Sequence, residues 1–331
     1  MLNMKTPKFW YDDSGGRVSK VLSCLLLPVS WCFALGTKLR RMAVMPYRAS
    51  VPVICVGNLT AGGAGKTPTA IALAEILSAN GEKPVFVSKG YKGKGVLTRV
   101  DAEVHSAQEV GDEALLLARI APTWVADDIV SALKEAELNG TVVIVDDGFQ
   151  NPGIKFTFSV LVIDGMVGIG NGRIIPAGPL REQVRDALNR ADAVVIVGDS
   201  KSRKINLDTK LPIFRAHFDP KLPMGFPRYG KFLAFSGIAR PEKFKDSLLR
   251  EGLNIVKNVG FPDHYMYTKR NIKRLRTQAD KLEAVLITTE KDFVRLSEEL
   301  REKIFVFPVK LVFDNSGTEK TLIELIRSIR S

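Results

Sequence analysis

Apolar, mostly β-branched runs recur along the first 200 residues and alternate with segments of helical periodicity. The clearest runs are Val53–Val56, Thr141–Val145, Val160–Ile163 and Ala193–Val197. Runs of this kind are typical of strands that are buried on both faces of a parallel sheet. Residues 70–77 place apolar side chains at i, i+3 and i+4 spacing, which predicts a helix. The alternation predicts an α/β fold with a doubly wound, mostly parallel sheet, where ligands bind at the carboxyl ends of strands.

The composition changes near Asp199, where the chain becomes polar and rich in Pro, Lys and Arg. We interpret 201–230 as a linker with one short strand near Ile213–Ala216. From 231 the alternation of strands and helices resumes, which predicts a second, smaller α/β domain over 231–331. Its last pieces are Ile304–Val309 and an amphipathic helix at Glu319–Ile329, and the pattern of this helix fits packing on either domain.

Residues 1–48 form a separate N-terminal segment around an apolar run at 21–35. The run is 15 residues long, whereas a helix that spans a bilayer needs about 20. Basic residues beside a short apolar run favour attachment to an anionic membrane surface, so we expect a membrane-associated helix. A signal peptide or signal anchor and an ordinary buried helix are the alternatives. The flanking basic residues are Arg17, Lys20, Lys38, Arg40, Arg41 and Arg48.

A glycine-rich turn follows the first apolar run and ends in Gly-Lys-Thr at the start of the predicted helix. Glycines let backbone N–H groups approach phosphate oxygens, and the helix N-terminus adds a partial positive charge. We expect Lys66 to contact the β- and γ-phosphates and the Thr67 hydroxyl to ligate Mg²⁺. A plain surface turn is the alternative, but the strand–turn–helix context favours a P-loop NTPase-like domain over 49–200. The expected nucleotide-binding residues are Thr60, Ala61, Gly62, Gly63, Ala64, Gly65, Lys66 and Thr67.

Acidic residues lie at the ends of two further elements of this domain. Asp146 and Asp147 end the run at 141–145, 80 residues after Lys66, where a P-loop protein places the carboxylate that holds Mg²⁺. We expect one of them to contact the metal and the other to position water or a substrate hydroxyl, and the order is open. A helix cap is the alternative. Asp112 opens another predicted helix in Gly-Asp-Glu, where capping is the ordinary explanation.

The chain carries 48 basic and 36 acidic residues, a net charge of +12, which favours anionic partners. Nucleic acid is not favoured, because no motif that reads RNA or DNA is present and aromatic residues are not interleaved with the basic ones. The three cysteines lie in apolar stretches without the spacing of a metal site or a disulfide framework, which fits a reducing, cytosolic environment. No protein partner is implied.

Several motifs together resemble the tetraacyldisaccharide 4′-kinase family, the lipid A 4′-kinases of Gram-negative bacteria. They are spread over most of the chain, and as a set they are specific to this family. The motifs are Gly57–Pro68, Ser88–Tyr91, Val110–Glu113, Asp146–Gln150, Asn171–Arg173 with Pro176–Glu182, Phe261–Tyr265 and Thr288–Asp292.

The resemblance implies an enzyme that uses ATP and Mg²⁺ to phosphorylate the 4′-hydroxyl of a tetraacylated glucosamine disaccharide 1-phosphate, forming lipid IVA. It implies attachment to the cytoplasmic leaflet of the inner membrane through the N-terminal helix. It also implies that Asp112 and His264 activate the acceptor hydroxyl. Lys66 and Arg181 would then stabilise charge on the transferred phosphoryl group. Without the resemblance, His264 fits a satisfied histidine at a domain boundary, and Arg181 fits a surface ion pair with Glu182.

The alternative from another class is a membrane-bound ATPase switch of the partitioning type. It shares the Gly-Gly-x-Gly-Lys-Thr core and a membrane-seeking segment. However, that class has a lysine directly before the double glycine, where this chain has Ala61, and its membrane helix is usually C-terminal. A P-loop kinase for another sugar or small molecule would leave the apolar N-terminus unexplained.

Overall fold

The computed structural model describes residues 7–11, 17–90, 93, 95–198, 205, 207–223, 225–227 and 229–328. Some positions named in the sequence predictions lie outside the described residues. They are Tyr91 of the motif Ser88–Tyr91, Asp199 where the composition changes, 201–204 of the expected linker and Ile329 of the expected last helix. The helices are α1 (Arg17–Leu25), α2 (Leu27–Ala43), α3 (Lys66–Ala79), α4 (Ala107–Val110), α5 (Asp112–Ala118), α6 (Ile129–Ala136), α7 (Val184–Leu188), α8 (Pro241–Arg250), α9 (Lys269–Lys281), α10 (Glu290–Phe293) and α11 (Thr318–Ser328).

The strands form two sheets. They are β1 (Val53–Asn58), β2 (Pro84–Ser88), β3 (Thr98–Arg99), β4 (Thr123–Val125), β5 (Val142–Asp146), β6 (Phe158–Asp164), β7 (Ala193–Val197), β8 (Ile213–Pro220), β9 (Lys231–Ser236), β10 (Asn254–Gly260), β11 (Ala284–Thr289), β12 (Ile304–Phe307) and β13 (Val309–Phe313).

The larger sheet has the strand order β13-β8-β7-β6-β1-β5-β2-β4-β3. Neighbours from β8 to β4 run parallel, while β13 and β3 pair antiparallel at the two edges. Every residue of β1, β5, β6 and β7 is buried, as their β-branched runs predict. The expected mostly parallel sheet is confirmed. Because β1 and β5 pair in parallel, the P-loop after β1 and the residues Asp146 and Asp147 at the end of β5 lie together at the carboxyl ends of the strands.

The helix after the P-loop and the last helix of the chain pack together on the larger sheet. The sequence left two packing positions open for the last helix, and the structure places it beside α3. Burial of the apolar faces of both helices against the sheet stabilises this arrangement. The residues that the two helices contribute to the shared core include Ala70, Leu73, Leu77, Leu322, Ile323 and Ile326.

Two segments from beyond residue 200 belong to the larger sheet. Strand β8 is longer than the expected Ile213–Ala216 and pairs with β7. The piece Ile304–Val309 divides at Pro308, so that β12 joins the smaller sheet and β13 pairs with β8. Proline has no N–H to donate to a strand neighbour, which explains why the chain changes sheets there. The larger sheet is therefore built from chain segments that precede the smaller sheet in the sequence and from one, β13, that follows it.

The smaller sheet has four parallel strands in the order β10-β9-β11-β12. The connection after β9 leads to one side of the sheet and the connection after β11 leads to the other. Ligands of open α/β sheets bind where the connections diverge in this way, at the carboxyl ends of the strands. Here that position lies next to Gly237 after β9 and Glu290 after β11. It contacts helix α5 of the larger sheet through α10.

Helices α1 and α2 form the N-terminal segment. No helix among the described residues is by itself long and apolar enough to span a membrane, although the pair Ser19–Leu25 and Leu27–Ala43, bent by 47°, meets that criterion together. Two serines attach the pair to the protein: Ser23 Oγ donates to the Ala177 carbonyl (2.6 Å) and Ser30 Oγ to that of Ile174 (2.8 Å). Its large exposed apolar residues are Val21, Leu22, Leu25, Val29, Trp31, Phe33, Leu35, Leu39 and Met42.

Candidate functional site

The turn between β1 and α3 has the conformation of a phosphate-binding loop. Gly62 and Gly65 adopt φ angles of +113° and +94°, which residues with a Cβ rarely adopt. The Asn58 side chain donates hydrogen bonds to the carbonyl oxygens of Thr60 (2.7 Å) and Gly62 (3.3 Å). Lys66 begins helix α3, and its side chain is buried. The Asn58 side chain at the end of β1 therefore holds the loop, and the loop leads directly into the start of helix α3.

Segments from two distant parts of the chain contact this loop. The N–H of Ala61 donates to the Pro179 carbonyl (2.8 Å), and the N–H of Arg181 donates to the Leu59 carbonyl (2.7 Å). The Tyr11 hydroxyl donates to the Ala61 carbonyl (3.0 Å). The motif around Pro179 thus supports the backbone of the P-loop and at the same time directs the Arg181 side chain toward the site.

Thr67 and Asp146 have the donor set of a magnesium site. Thr67 Oγ1 donates a hydrogen bond of 2.7 Å to Asp146 Oδ2. Asp146 Oδ1 is buried and has no hydrogen-bond partner among the described residues. Burial, together with the charge of Glu113, raises the pKa of Asp146 to about 7. A carboxylate oxygen without a partner beside a hydroxyl fits Mg²⁺, which prefers oxygen ligands and commonly takes the others from phosphates and water.

Asp147 has different surroundings, because two cations lie beside it. Lys66 Nζ is 3.5 Å from Asp147 Oδ2, and Arg181 Nη1 donates to Asp147 Oδ1 at 2.9 Å. Burial disfavours the charged carboxylate, but Lys66 and Arg181 outweigh it and hold the pKa of Asp147 below its usual range. Three of the residues expected at the site, Lys66, Asp147 and Arg181, therefore form one cluster.

Asp112 and His264 meet although 152 positions separate them. His264 Nδ1 lies 2.9 Å from Asp112 Oδ2, and the N–H of Glu113 donates to Asp112 Oδ1 at 2.8 Å. Asp112 is only 4% exposed. Burial disfavours its charge, but the hydrogen bond with His264 and the charges of Lys291 and Arg295 hold the pKa of Asp112 well below its usual range. The carboxylate is therefore ionised at neutral pH.

Arg295 belongs to this second cluster, although it lies outside the motifs that indicated the other site residues. Its side chain is fully buried. Its Nε donates to Asp112 Oδ2 at 2.5 Å, and its Nη1 donates to the Gly237 carbonyl (2.7 Å) and to Asp292 Oδ1 (2.8 Å). The motif Thr288–Asp292 ends three residues before Arg295. Since residues three apart are neighbours on one helical face, this spacing was the signal that could have indicated it.

A cavity of about 500 Å³ separates the two sheets, a size that accommodates a nucleotide. It is lined by Gly63–Thr67 of the P-loop and, among others, by Glu113, Asp263 and Lys291. Lys291 Nζ lies 2.8 Å from Glu113 Oε1, so the two sides of the cavity are joined by an ion pair. The negative charge of Glu113 also helps to raise the pKa of Asp146. The cluster around Asp112 and the cluster around Lys66 therefore interact electrostatically.

A second cavity, of about 330 Å³, lies between α2 and the P-loop side of the larger sheet. Arg181 lines this cavity and also contacts Asp147, so the cavity adjoins the cluster of Lys66, Asp147 and Arg181. Its lining combines apolar and cationic side chains. The lining residues are Phe33, Thr37, Arg40, Arg41, Gln150, Pro152, Ile175 and Arg181.

The buried carboxylate of Glu182 links α2 to this region. Arg41 donates to Glu182 Oε2 at 3.2 Å, and Arg190 donates to the same atom at 2.8 Å. The ion pair between Arg181 and Glu182, which was the alternative from the sequence, does not form, because the two side chains point to different partners: Arg181 bonds to Asp147.

Comparison with known proteins gives one consistent result. The family model for tetraacyldisaccharide-1-P 4′-kinase matches residues 22–327. A tetraacyldisaccharide 4′-kinase of Parvibaculum lavamentivorans is 46% identical over 302 residues, which cover 89% of this chain and 87% of that protein. The corresponding protein of Rhodospirillum centenum is 43% identical over 325 residues, covering 97% and 96% of the two chains.

A solved structure is also similar. A crystal structure of LpxK from Aquifex aeolicus, described as its apo form in complex with ATP, superimposes with a TM-score of 0.75 at 26% sequence identity. The match covers 93% of this chain and 99% of that chain. The likeness in fold therefore extends over nearly the whole of both proteins.

Proposed function

The chain belongs to the tetraacyldisaccharide-1-P 4′-kinase family, and we propose that it carries out the reaction of this family in the cavity between its two sheets. It is an ATP-dependent lipid kinase, which transfers the γ-phosphate of ATP to the 4′-hydroxyl of a tetraacylated glucosamine disaccharide 1-phosphate. The product is lipid IVA, in the biosynthesis of lipid A and lipopolysaccharide. One observation supports this site above all: the P-loop lines the same cavity as Glu113 and Asp263, the chain neighbours of the Asp112–His264 pair.

The P-loop binds the triphosphate of ATP in this proposal. The backbone N–H groups of Gly63–Thr67 approach the phosphate oxygens, and the buried Lys66 ammonium contacts the terminal phosphates. Thr67 and Asp146 would hold the Mg²⁺ that accompanies ATP, because their oxygens adjoin and Asp146 Oδ1 has no partner among the described residues. Mg²⁺ supplies positive charge that neutralises the phosphates. Asp147 orients Lys66 and Arg181, which stabilise the charge on the transferred group.

The Asp112–His264 pair accepts the proton of the acceptor hydroxyl. Both oxygens of Asp112 already accept hydrogen bonds, and its pKa is held low. The carboxylate therefore orients the imidazole of His264, and its negative charge favours uptake of one proton by the pair as a unit. Such general-base assistance typically accelerates a reaction by about 10²–10⁴-fold.

The acceptor lipid approaches from the side of α2, and the cavity beside α2 supports this direction. Its lining contains the apolar Phe33 together with the cations Arg40, Arg41 and Arg181, which suits an acylated and phosphorylated sugar. The exposed apolar residues of α1 and α2, with the basic residues near them, fit attachment to an anionic membrane surface. Since ATP is cytosolic, we assign the protein to the cytoplasmic face of the inner membrane.

The reaction itself can be tested on the full-length protein in detergent micelles with radiolabelled ATP and tetraacyldisaccharide 1-phosphate. We expect label at the 4′ position, no turnover in EDTA, and recovery when Mg²⁺ is added. Lys66→Ala should lower kcat by roughly 10³-fold or more, the scale of electrostatic contributions to phosphoryl transfer. The matched control is the same disaccharide already phosphorylated at position 4′, which should accept no label. Tight ATP binding without transfer to the unmodified disaccharide would refute the function.

The partition-type ATPase switch is not favoured, because the kinase family model matches residues 22–327. The two functions differ in one simple measurement. A switch dimerises when ATP is added and needs no acceptor, whereas a kinase consumes ATP in proportion to the acceptor supplied. We therefore expect ATP turnover to rise with the concentration of the disaccharide.

A further inference from the structure

Arg295 contacts both units of the protein through one buried guanidinium. Its Nε donates to Asp112 Oδ2 at 2.5 Å, the oxygen that also faces His264. Its Nη1 donates to the Gly237 carbonyl at 2.7 Å and to Asp292 Oδ1 at 2.8 Å. Asp112 begins a helix of the larger sheet, whereas the other partners lie at the carboxyl edge of the smaller sheet. A single side chain thus fixes the distance between the two units at this point.

The loop that carries His264 depends on the same contacts. The His264 N–H donates to the Gly237 carbonyl at 3.1 Å, the oxygen that Arg295 also contacts. The Gly237 N–H and the Tyr267 hydroxyl both donate to Asp292 Oδ1, each at 2.8 Å. A Cβ at Gly237 would lie 3.0 Å from the Pro262 carbonyl oxygen, so the backbone at Gly237 packs closely against the loop that carries His264. The position of His264 is therefore tied to Arg295 through Gly237.

We propose that Arg295 is a positioning residue of the phosphoryl transfer, which holds the Asp112 carboxylate and the His264 loop in register across the two units. The inference rests on the proposed function, in which this pair takes the hydroxyl proton. A guanidinium presents several donors in one plane, and the ammonium of a lysine cannot reproduce this fork. Displacement of a reacting group by about 1 Å can cost roughly 10²-fold in rate.

The charges that face Asp112 define what loss of Arg295 does to the pH dependence. His264, Lys291 and Arg295 lie near Asp112 and lower its pKa, and the carboxylate of Glu113 lies near it as a like charge. Asp292 reaches the pair through Arg295, and Asp263 lies 3.9 Å from His264 Nε2. Arg295 contributes to the low pKa of Asp112, so its removal favours protonation of Asp112. The acid limb of activity should therefore move to higher pH.

The experiment compares Arg295→Met, which removes the charge and the donors, with Arg295→Lys in the full-length enzyme. The measured quantities are kcat, the KM for ATP and the pH profile of kcat/KM for the disaccharide. We expect Arg295→Met to lower kcat by about 10²-fold and to move the acid limb upward by about one pH unit, with little change in the KM for ATP. Arg295→Lys should recover part of the rate, because it restores the charge but not the fork.

A double variant separates positioning from general stability. In a His264→Ala background, Arg295→Met should lower kcat by less than about threefold, since residues that act as a unit are not additive. The matched control is Arg276→Met, whose guanidinium donates to the Leu300 and Glu302 carbonyls away from the pair. It should keep the wild-type kcat and pH profile.

Three results would overturn the role of Arg295. The first is a wild-type kcat and pH profile in Arg295→Met. The second is a decrease in kcat on Arg295→Met that is as large in the His264→Ala background as in the wild-type enzyme. The third is a lower melting temperature of both Arg295 variants with unchanged activity and pH profile per folded molecule. A wild-type enzyme that cannot phosphorylate the disaccharide refutes the proposed function, and with it this role; an active enzyme with an unaffected variant refutes the role of Arg295 alone.

Discussion

Asp146 and Asp147 are adjacent and have the same side chain, yet their surroundings differ. Asp147 adopts a φ of +58°, and its carboxylate contacts Lys66 and Arg181. Asp146 bonds to Thr67 and retains a buried oxygen without a hydrogen-bond partner among the described residues. The sequence left their order open. These contacts favour Asp146 as the metal ligand and Asp147 as the residue that orients the cations.

Loss of either member of the Asp112–His264 pair should slow the chemical step. We expect Asp112→Asn and His264→Ala each to lower kcat by about 10²–10⁴-fold, the range of general-base catalysis. The dissociation constant for ATP should stay near the wild-type value, because the P-loop is unaltered. Steady-state kinetics and equilibrium ATP binding measure the two effects.

The control for the pair is His217→Ala, because His217 is an exposed residue of β8 whose Nδ1 lies 2.7 Å from Oδ1 of the exposed Asp314. It should leave kcat unchanged. Wild-type rates in Asp112→Asn and His264→Ala would remove the proposed proton transfer while leaving the kinase activity itself in place.

At the scale of elements, α1 and α2 stand out because their apolar side chains face outward. Leu25 is 71% exposed and Trp31 is 67% exposed. Polar contacts attach the pair to the rest of the protein: Ser23 and Ser30 reach backbone carbonyls, and Arg41 reaches Glu182. This exposure of apolar side chains supports the membrane attachment that we propose for α1 and α2.

Replacing Leu25 and Leu35 by Ser should weaken binding to membranes. A leucine side chain gains about 1.5–3 kcal/mol when it leaves water, so we expect the double variant to bind vesicles of anionic phospholipid at least about tenfold less tightly. Co-sedimentation with vesicles measures this, and ATP binding in solution should be unchanged. Leu138→Ser is the matched control, because Leu138 is 77% exposed but distant in sequence from α1 and α2. An equal loss of vesicle binding in Leu138→Ser and in the double variant would contradict membrane attachment through α1 and α2.

At the scale of the whole molecule, opposite charges join the two units around the central cavity. Carboxylates of the larger sheet and its helices face cations of the smaller unit. The pairs are Asp112 with Arg295, Glu113 with Lys291, and Asp164 with Arg240 and Lys243. The pair of Asp112 and Arg295 is buried on both sides and depends on both partners, because removal of one leaves an uncompensated charge.

The surroundings of Asp112 predict a pH dependence of stability, because burial disfavours its charge but the hydrogen bond with His264 and the charges of Lys291 and Arg295 outweigh burial. The pKa of Asp112 is lowered from its ordinary value of 3.8, so folding favours the ionised form. This contribution is fully present above that value and is lost as the pH falls below it. We therefore expect Asp112→Asn to be less stable than the wild type at pH 7, and the difference to shrink as the pH is lowered toward 3.

Urea denaturation at several pH values measures this difference, with the exposed Asp280→Asn as control. The control should follow the wild-type curve throughout. A constant gap between Asp112→Asn and the wild type from pH 7 to pH 3 would mean that the charge of Asp112 does not contribute in this way.

The parts that sequence reasoning predicted well are those encoded over short distances. The P-loop and the strands β1, β5, β6 and β7 follow from contiguous residues, because glycine freedom and apolar β-branched runs act locally. The approach of Asp112 to His264 came from a family resemblance, since no spacing in the chain indicates it. Arg295 was missed, because its significance depends on Asp112, 183 positions away.

By itself, the sequence determined the α/β class, the glycine-rich turn between the first strand and its helix, the acidic strand end and the apolar N-terminal helix region. Only the tertiary structure decided that β13 and the last helix return to the larger sheet. It also decided that Asp146 and Asp147 take different partners and that one guanidinium contacts Asp112 and the backbone beside His264. The physical reason is range: backbone preferences act between near neighbours, whereas burial and ion pairs join residues that meet only after the chain has folded.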